Sequence, residues 1–125
     1  MPVYAAIFLI MTMSSIGLPT LNGFIGELLI LQGVFVKSTA WAAFAASGVV
    51  LGAAYMLWLY RRVIFGKLEK ADLLKMLDLS PREIAIFVPL ILIVLWMGIY
   101  PKPFTDVMNT SVTELLRHVA VSKLP

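Results

Sequence analysis

Residues 3–36 form an apolar run whose only charged side chain is Glu27 and whose only proline is Pro19. As one straight helix the run would reach ~50 Å at about 1.5 Å per residue. The hydrocarbon core of a bilayer is only ~30 Å thick. Something has to shorten the run, and Gly17-Leu18-Pro19-Thr20 lies near its middle. Proline removes a backbone donor and clashes with the preceding turn. The expectation is a broken helix, with halves at Val3–Ile16 and Leu21–Val36. A single long, tilted or protruding helix is the alternative.

Two further spans follow. Residues 40–65 carry Trp41 and Trp58, ~25 Å apart on a helix, as anchors for the two membrane interfaces. Between them Gly48 and Gly52 form a Gly-x-x-x-Gly that lets a neighbouring helix approach closely; ordinary small-residue content reads the same way. Residues 80–100 open on Ser80-Pro81-Arg82-Glu83, with the hydroxyl, proline and acid spaced for a capping box. Pro89 predicts a kink, and Tyr100-Pro101-Lys102-Pro103 a stop. The 66–79 loop mixes lysines, acids and leucines and fits a short interfacial helix. In the tail, 104–121, Met108, Val112, Leu115 and Val119 recur at helical spacing and predict an amphipathic helix on the surface or against a partner.

The fold class expected is therefore an all-α membrane protein: three transmembrane segments, the first broken, plus a C-terminal amphipathic helix. Composition agrees, with 61% hydrophobic and 14% charged residues against about half and a quarter in soluble domains. Six of the ten basic residues (Arg61, Arg62, Lys67, Lys70, Lys75, Arg82) lie in the 61–83 loop. The positive-inside rule puts that loop and Met1 in the cytoplasm and the C-terminus in the periplasm, so the net charge of +3 reads as topology and not as nucleic-acid binding. No basic stretch precedes the first apolar run and no small-residue cleavage site follows it, so a signal peptide is not expected. The abrupt start predicts a piece of a longer chain, with a native start at Met1 as the alternative. Without cysteine and with one histidine, His118, a metal centre is not expected. His118 is read as solvated, and Arg61 and Arg62 as topology and lipid-headgroup residues.

Glu27 carries the candidate chemistry. An ionisable group inside an apolar span is costly and is a functional site by default. Lipid disfavours the charged carboxylate, so the group is suited to take up and release a proton. A structural acid paired with a basic group on another helix is the competing role. Irregular backbone at membrane depth survives only where protein or a wet cavity covers it, and discontinuous helices recur at transporter ion sites. Thr20 in the break, and Asn22 and Gln32 five residues either side of Glu27, are candidates to hold water or freed carbonyls. Pro19, Thr20, Asn22, Gly23 and Gly26 are taken together as support for the break.

The run Met13-Ser14-Ser15-Ile16-Gly17-Leu18-Pro19 and the run Gly23-Phe24-Ile25-Gly26-Glu27 resemble the broken twelfth helix of the antiporter-like subunits of respiratory complex I. Val50 to Val63, Arg82-Glu83-Ile84 and Trp96 to Pro101 are similar to the M-type (chain 4) branch of α-proteobacteria and plant mitochondria. The resemblance covers nearly the whole chain. It implies the last three of fourteen helices, in a bacterial inner membrane or, as the alternative, a mitochondrial one. It further implies an acid at Glu27 where sister subunits carry lysine, the outermost member of a proton chain driven by quinone reduction. NADH, FMN, iron–sulfur clusters and quinone would sit in other subunits, with none bound here. Partners would be lipid and the neighbouring antiporter-like subunits, and the segment alone would be inactive. Where the family commonly has glycine after the proline this chain has Thr20; length is preserved, so Glu27 keeps its register. A multi-subunit cation/proton antiporter, a membrane-bound hydrogenase subunit and a purely structural packing module remain alternative functions.

Overall fold

Pro2 and Gly17 bound the first helix for opposite reasons. Proline is tolerated in the first turn of a helix, where no amide bond is lost, and α1 (Pro2–Ile16) opens on it. At the other end Gly17 adopts φ 82° and ψ 39°. Its amide donates to the Ser14 carbonyl at 3.2 Å, and the Leu18 amide donates to the Met13 carbonyl at 3.1 Å. That pair of bonds is a Schellman motif, which needs a left-handed residue and so favours glycine. A computed structural model describes residues 1–67 and 76–122. It continues with α2 (Asn22–Lys37), α3 (Thr39–Ile64), α4 (Pro81–Ile99) and α5 (Lys102–Ser122).

The first apolar run is thus two short helices in series, ~22 and ~24 Å long, and not one long rod. α3 runs antiparallel beside both. Near its C-terminal end the Tyr60 hydroxyl donates to the Ala5 carbonyl of α1 at 3.2 Å, and its ring stacks on Phe8 at 5.7 Å. Its N-terminal residues Thr39, Ala42 and Ala43 border a groove shared with Leu28, Leu31 and Phe35 of α2. α3 and α4 are each long and apolar enough to cross a membrane, with mean hydropathy 1.8 and 2.1. Trp41, Phe44, Leu51 and Leu92 are all at least 60% exposed, whereas among the described residues only Ile7, Leu21 and Ala42 are buried apolar ones. An apolar surface around so small a core suits a segment enclosed by lipid and other helices.

α4 has the capping box that its sequence specifies. The Glu83 amide donates to the Ser80 hydroxyl, and the Glu83 carboxylate accepts from the Ser80 amide at 2.7 Å. The helix continues through Pro89. It ends at Ile99, and α5 begins at Lys102, earlier than the tail helix expected at 104. Prolines are tolerated in a first turn, so the residues that stop α4 also start α5. The Pro101 carbonyl accepts from the Phe104 and Thr105 amides. Further along α5, Val112, Leu115 and Val119 are exposed, and His118 pairs with Glu114 at 3.5 Å on a solvent-facing side. Arg62 lies 5.1 Å from the centroid of the Trp58 ring, a cation–π contact. The interfacial helix expected over 66–79 falls mostly outside the described residues.

One loop contact fixes how the ends sit. The Asp78 carboxylate accepts from the Val3 amide at 2.8 Å and the Tyr4 amide at 3.1 Å, so the approach to α4 meets the start of α1. These are first-turn amides with no partner inside the helix. Desolvation pushes the Asp78 carboxyl up, but the hydrogen bonds from Val3, Leu79 and Tyr4 outweigh it and hold the group below its ordinary value. A lowered folded value means stabilisation that is present above the usual aspartate range and lost as pH falls through the folded value. Hydrogen exchange should show this. Protection of the Val3 and Tyr4 amides is expected to drop severalfold in Asp78→Ala at neutral pH, and in the native sequence on acidification. Equal protection in the variant would show that the contact contributes nothing.

Candidate functional site

The break is held by three backbone devices. The Schellman motif closes α1. The next four residues, Leu18 to Leu21, form a turn with the Leu21 amide donating to the Leu18 carbonyl at 3.1 Å. Pro19 occupies its second position and Thr20, at φ 83°, its third, as a type II turn requires. Third, Gly23 lets the start of α2 cross the end of α1, since a Cβ there would collide with the Ser14 carbonyl. Above the crossing the Ser14 hydroxyl donates to Asn22 Oδ1 at 2.5 Å, tying the halves together. Ser14 is buried at 8% exposure. From the other side α4 packs so closely that a Cβ on Gly98 would strike the Thr20 carbonyl.

Thr20 is the strained member. Only glycine enters the left-handed region freely, and a β-branched residue there is an outlier. The departure from the usual glycine is therefore absorbed as local strain, with the turn kept. Thr20→Gly should relieve roughly 1–2 kcal/mol of left-handed strain, offset by about 0.5–1 kcal/mol of extra chain entropy. The expected result is slower exchange of the Leu21 amide; faster exchange would show that the threonine side chain stabilises the turn in another way.

Glu27 is half-buried in the second turn of α2, and its side chain reaches back across the break to Gly17, where a Cβ would overlap its carboxylate. The carboxyl borders a crevice of about 330 Å³, lined by Ser15 and Ile16 of α1, Ile30 and Leu31 of α2, and a face of α3 that includes Gly48, Gly52 and Tyr55. The Gly-x-x-x-Gly therefore faces this space, and no helix of the described residues fills it: a Cβ on Gly48 would meet nothing within 4 Å. Among the described residues no hydrogen bond or ion pair engages the Glu27 carboxylate. Chemically, this is a carboxyl group at a helix junction with room beside it for a small polar species.

The residues singled out from sequence separate into three places. Glu27, Pro19, Thr20, Asn22 and Gly23 meet at the break. Gly26 faces the other way, with Asn22, Ile25 and Leu29, toward Met97, Phe104 and Met108. Gln32 lines the apolar groove between α2 and α3. Sequence reasoning did not single out Ser14, Gly17 or Tyr55 as site residues. Ser14 and Gly17 sit inside the motif itself, and a glycine directly before Leu-Pro was the available signal for Gly17. Tyr55 has no local signal, because only the packing of α3 brings it to the crevice. Among the described residues no three of His, Asp or Glu cluster as a metal site would require.

Residues 1–53 match the family described as NADH:quinone oxidoreductase/Mrp antiporter, TM. Over 118 residues, 94% of its length, the chain is 48% identical to NADH-ubiquinone oxidoreductase chain 4 of Marchantia polymorpha. It is 50% identical to NADH-quinone oxidoreductase subunit M of Rhodobacter capsulatus and 48% identical to chain 4 of Arabidopsis thaliana, again over 94% of its length. The chain spans about a quarter of the length of these relatives, 24%, 23% and 24% respectively.

Proposed function

Because the chain belongs to the chain 4/subunit M family of NADH:quinone oxidoreductases, with which nearly all of it aligns, we propose that it forms part of a redox-driven proton pump in which Glu27 takes up and releases the proton. The observation that carries this is the Glu27 carboxyl itself, unpaired among the described residues at a helix break and open to a crevice of about 330 Å³. Unpaired, it is free to exchange a proton; half-buried, it shifts local charge when it does. Water in the crevice would connect it to donors and acceptors on other helices, with Tyr55 among the residues of the wall. Quinone reduction in another subunit would drive the cycle, and the NADH, flavin and iron–sulfur chemistry would likewise lie elsewhere. Partners are the neighbouring antiporter-like subunits and lipid.

The same reading places the chain in a bacterial inner membrane, with the 61–83 loop and Met1 cytoplasmic and the C-terminus periplasmic. The clustered basic residues support that orientation, and the Asp78 contact with the start of α1 fits the loop and Met1 lying on one side. A second reading, a subunit of a cation/proton antiporter, is favoured by the matched family's own description, which includes such antiporters. The half-identical relatives favour the oxidoreductase. The test is NADH-driven proton uptake into vesicles holding the parent complex with Glu27→Gln, assembly being scored separately. Wild-type pumping by the assembled variant would overturn the proposal.

A further inference from the structure

We propose that Gly17 is a positioning residue that seats the Glu27 carboxyl: the protonated form docks on Gly17 against the end of α1, and the ionised form leaves it for the crevice toward α3. The inference rests on the reading of Glu27 as the proton carrier and adds where the proton is held.

Three observations meet at this point. The first is contact. A Cβ built on Gly17 would overlap one carboxylate oxygen of Glu27, lie 2.9 Å from its Cδ and lie 3.4 Å from the other oxygen. Only a residue without a side chain leaves this place for the carboxyl. The second is backbone geometry. Gly17 ends α1 at φ 82°, which turns its missing side chain toward Glu27.

The third is the state of the α1 terminus. The last four carbonyls of a helix lack partners inside it. At α1 the Schellman bonds satisfy Met13 and Ser14. Among the described residues no donor reaches the Ser15 or Ile16 carbonyl. These free carbonyls also carry the negative end of the helix dipole. A neutral carboxyl has an O–H to donate to such an acceptor. A carboxylate has no proton to donate, and the same carbonyls repel it. Loss of the proton thus turns attraction into repulsion, and the crevice offers room on the side bordered by Ala45, Gly48 and Gly52.

Apart from Glu27, no charged side chain is among the residues that line the crevice. From α3 the titratable group on this crevice is Tyr55. On α1 the only titratable side chain is Tyr4, in the first turn, and α4 carries Arg82 and Glu83 at the end far from Gly98. α2 offers Lys37 at its distant C-terminus.

The test uses the assembled complex and infrared difference spectra, with the protonated-carboxyl C=O band assigned by its loss in Glu27→Gln. Gly17→Asn is the informative variant, because asparagine tolerates the left-handed region while its side chain fills the seat. The expected result is a C=O band moved to higher frequency, as a hydrogen bond to the carboxyl is lost, with NADH-driven pumping reduced at least about tenfold. A role of Gly17 in the turn alone would not move that band. Glu27→Asp leaves Gly17 untouched and shortens the arm, so the same displacement is expected there, whether or not the Gly17 variant assembles. An unmoved band in Glu27→Asp, or an unmoved band with full pumping in Gly17→Asn, overturns the inference and leaves Glu27 as carrier. Full pumping by Glu27→Gln would instead overturn the reading beneath it.

Discussion

Glu27→Gln in the parent complex is expected to reduce NADH-driven proton uptake by at least about a hundredfold, toward the leak level, while the complex still assembles. Glutamine keeps the length and shape of the side chain and removes only the exchangeable proton. A positioned proton-transfer group typically contributes factors of about 10²–10⁴, so even the low end is readily measured. Assembly should survive because among the described residues the carboxylate makes no hydrogen bond or ion pair that glutamine would break. Glu27→Asp restores a titratable proton on a shorter arm, so partial pumping is expected. Loss of pumping in the assembled glutamine variant, with part recovered in Glu27→Asp, would mark Glu27 as a proton carrier. Normal pumping would reduce it to a structural acid, with the family membership unaffected.

The second large effect is expected at Gly23. A Cβ there would land on the Ser14 carbonyl, which is backbone and cannot swing aside. Gly23→Ala must push the two half-helices apart, losing the 2.5 Å bond between Ser14 and Asn22. Overpacking commonly costs about 1–3 kcal/mol, and a buried hydroxyl left without a partner costs about 1–3 kcal/mol more. Together these approach the whole stability of a small domain, so little assembled complex should be recovered on native gels. Gly26→Ala is the contrast. Three residues away on the same helix, a Cβ at Gly26 meets nothing within 4 Å, and alanine raises helix propensity by about 1 kcal/mol. Equal yields from the two variants would mean that the close crossing at Gly23 does not hold the break.

Much of the fold was legible because its signals are local. A glycine followed two residues later by proline marks a helix stop, and Gly17 and Pro19 do this where the apolar run is too long for one span. Ser80 and Glu83 are spaced for reciprocal capping, and both bonds form. Glu27 stands out as a candidate by isolation, as the only charged side chain between Met1 and Val36. What escaped depends on packing between distant segments. Nothing near Asp78 indicates that it caps a helix more than seventy residues earlier. Gly23 and Gly26 read alike on paper, and only the crossing of α1 and α2 separates them. The Gly-x-x-x-Gly of α3 predicts a close helix neighbour, yet the same small residues equally leave a crevice, and the pairing of helices decides which.

The unbroken α3 lies against both halves of the broken span, and this sets which displacements the junction permits. A hinge fastened along one side to a stiff rod cannot fold toward that rod. It can slip lengthwise or swivel about the rod's axis. Force arriving at α2 from outside would therefore reach Glu27 as shear along α3 or as torsion, with bending toward α3 suppressed. Such a coupling would turn a sideways push on α2 into a small lengthwise or rotary step of one carboxyl group.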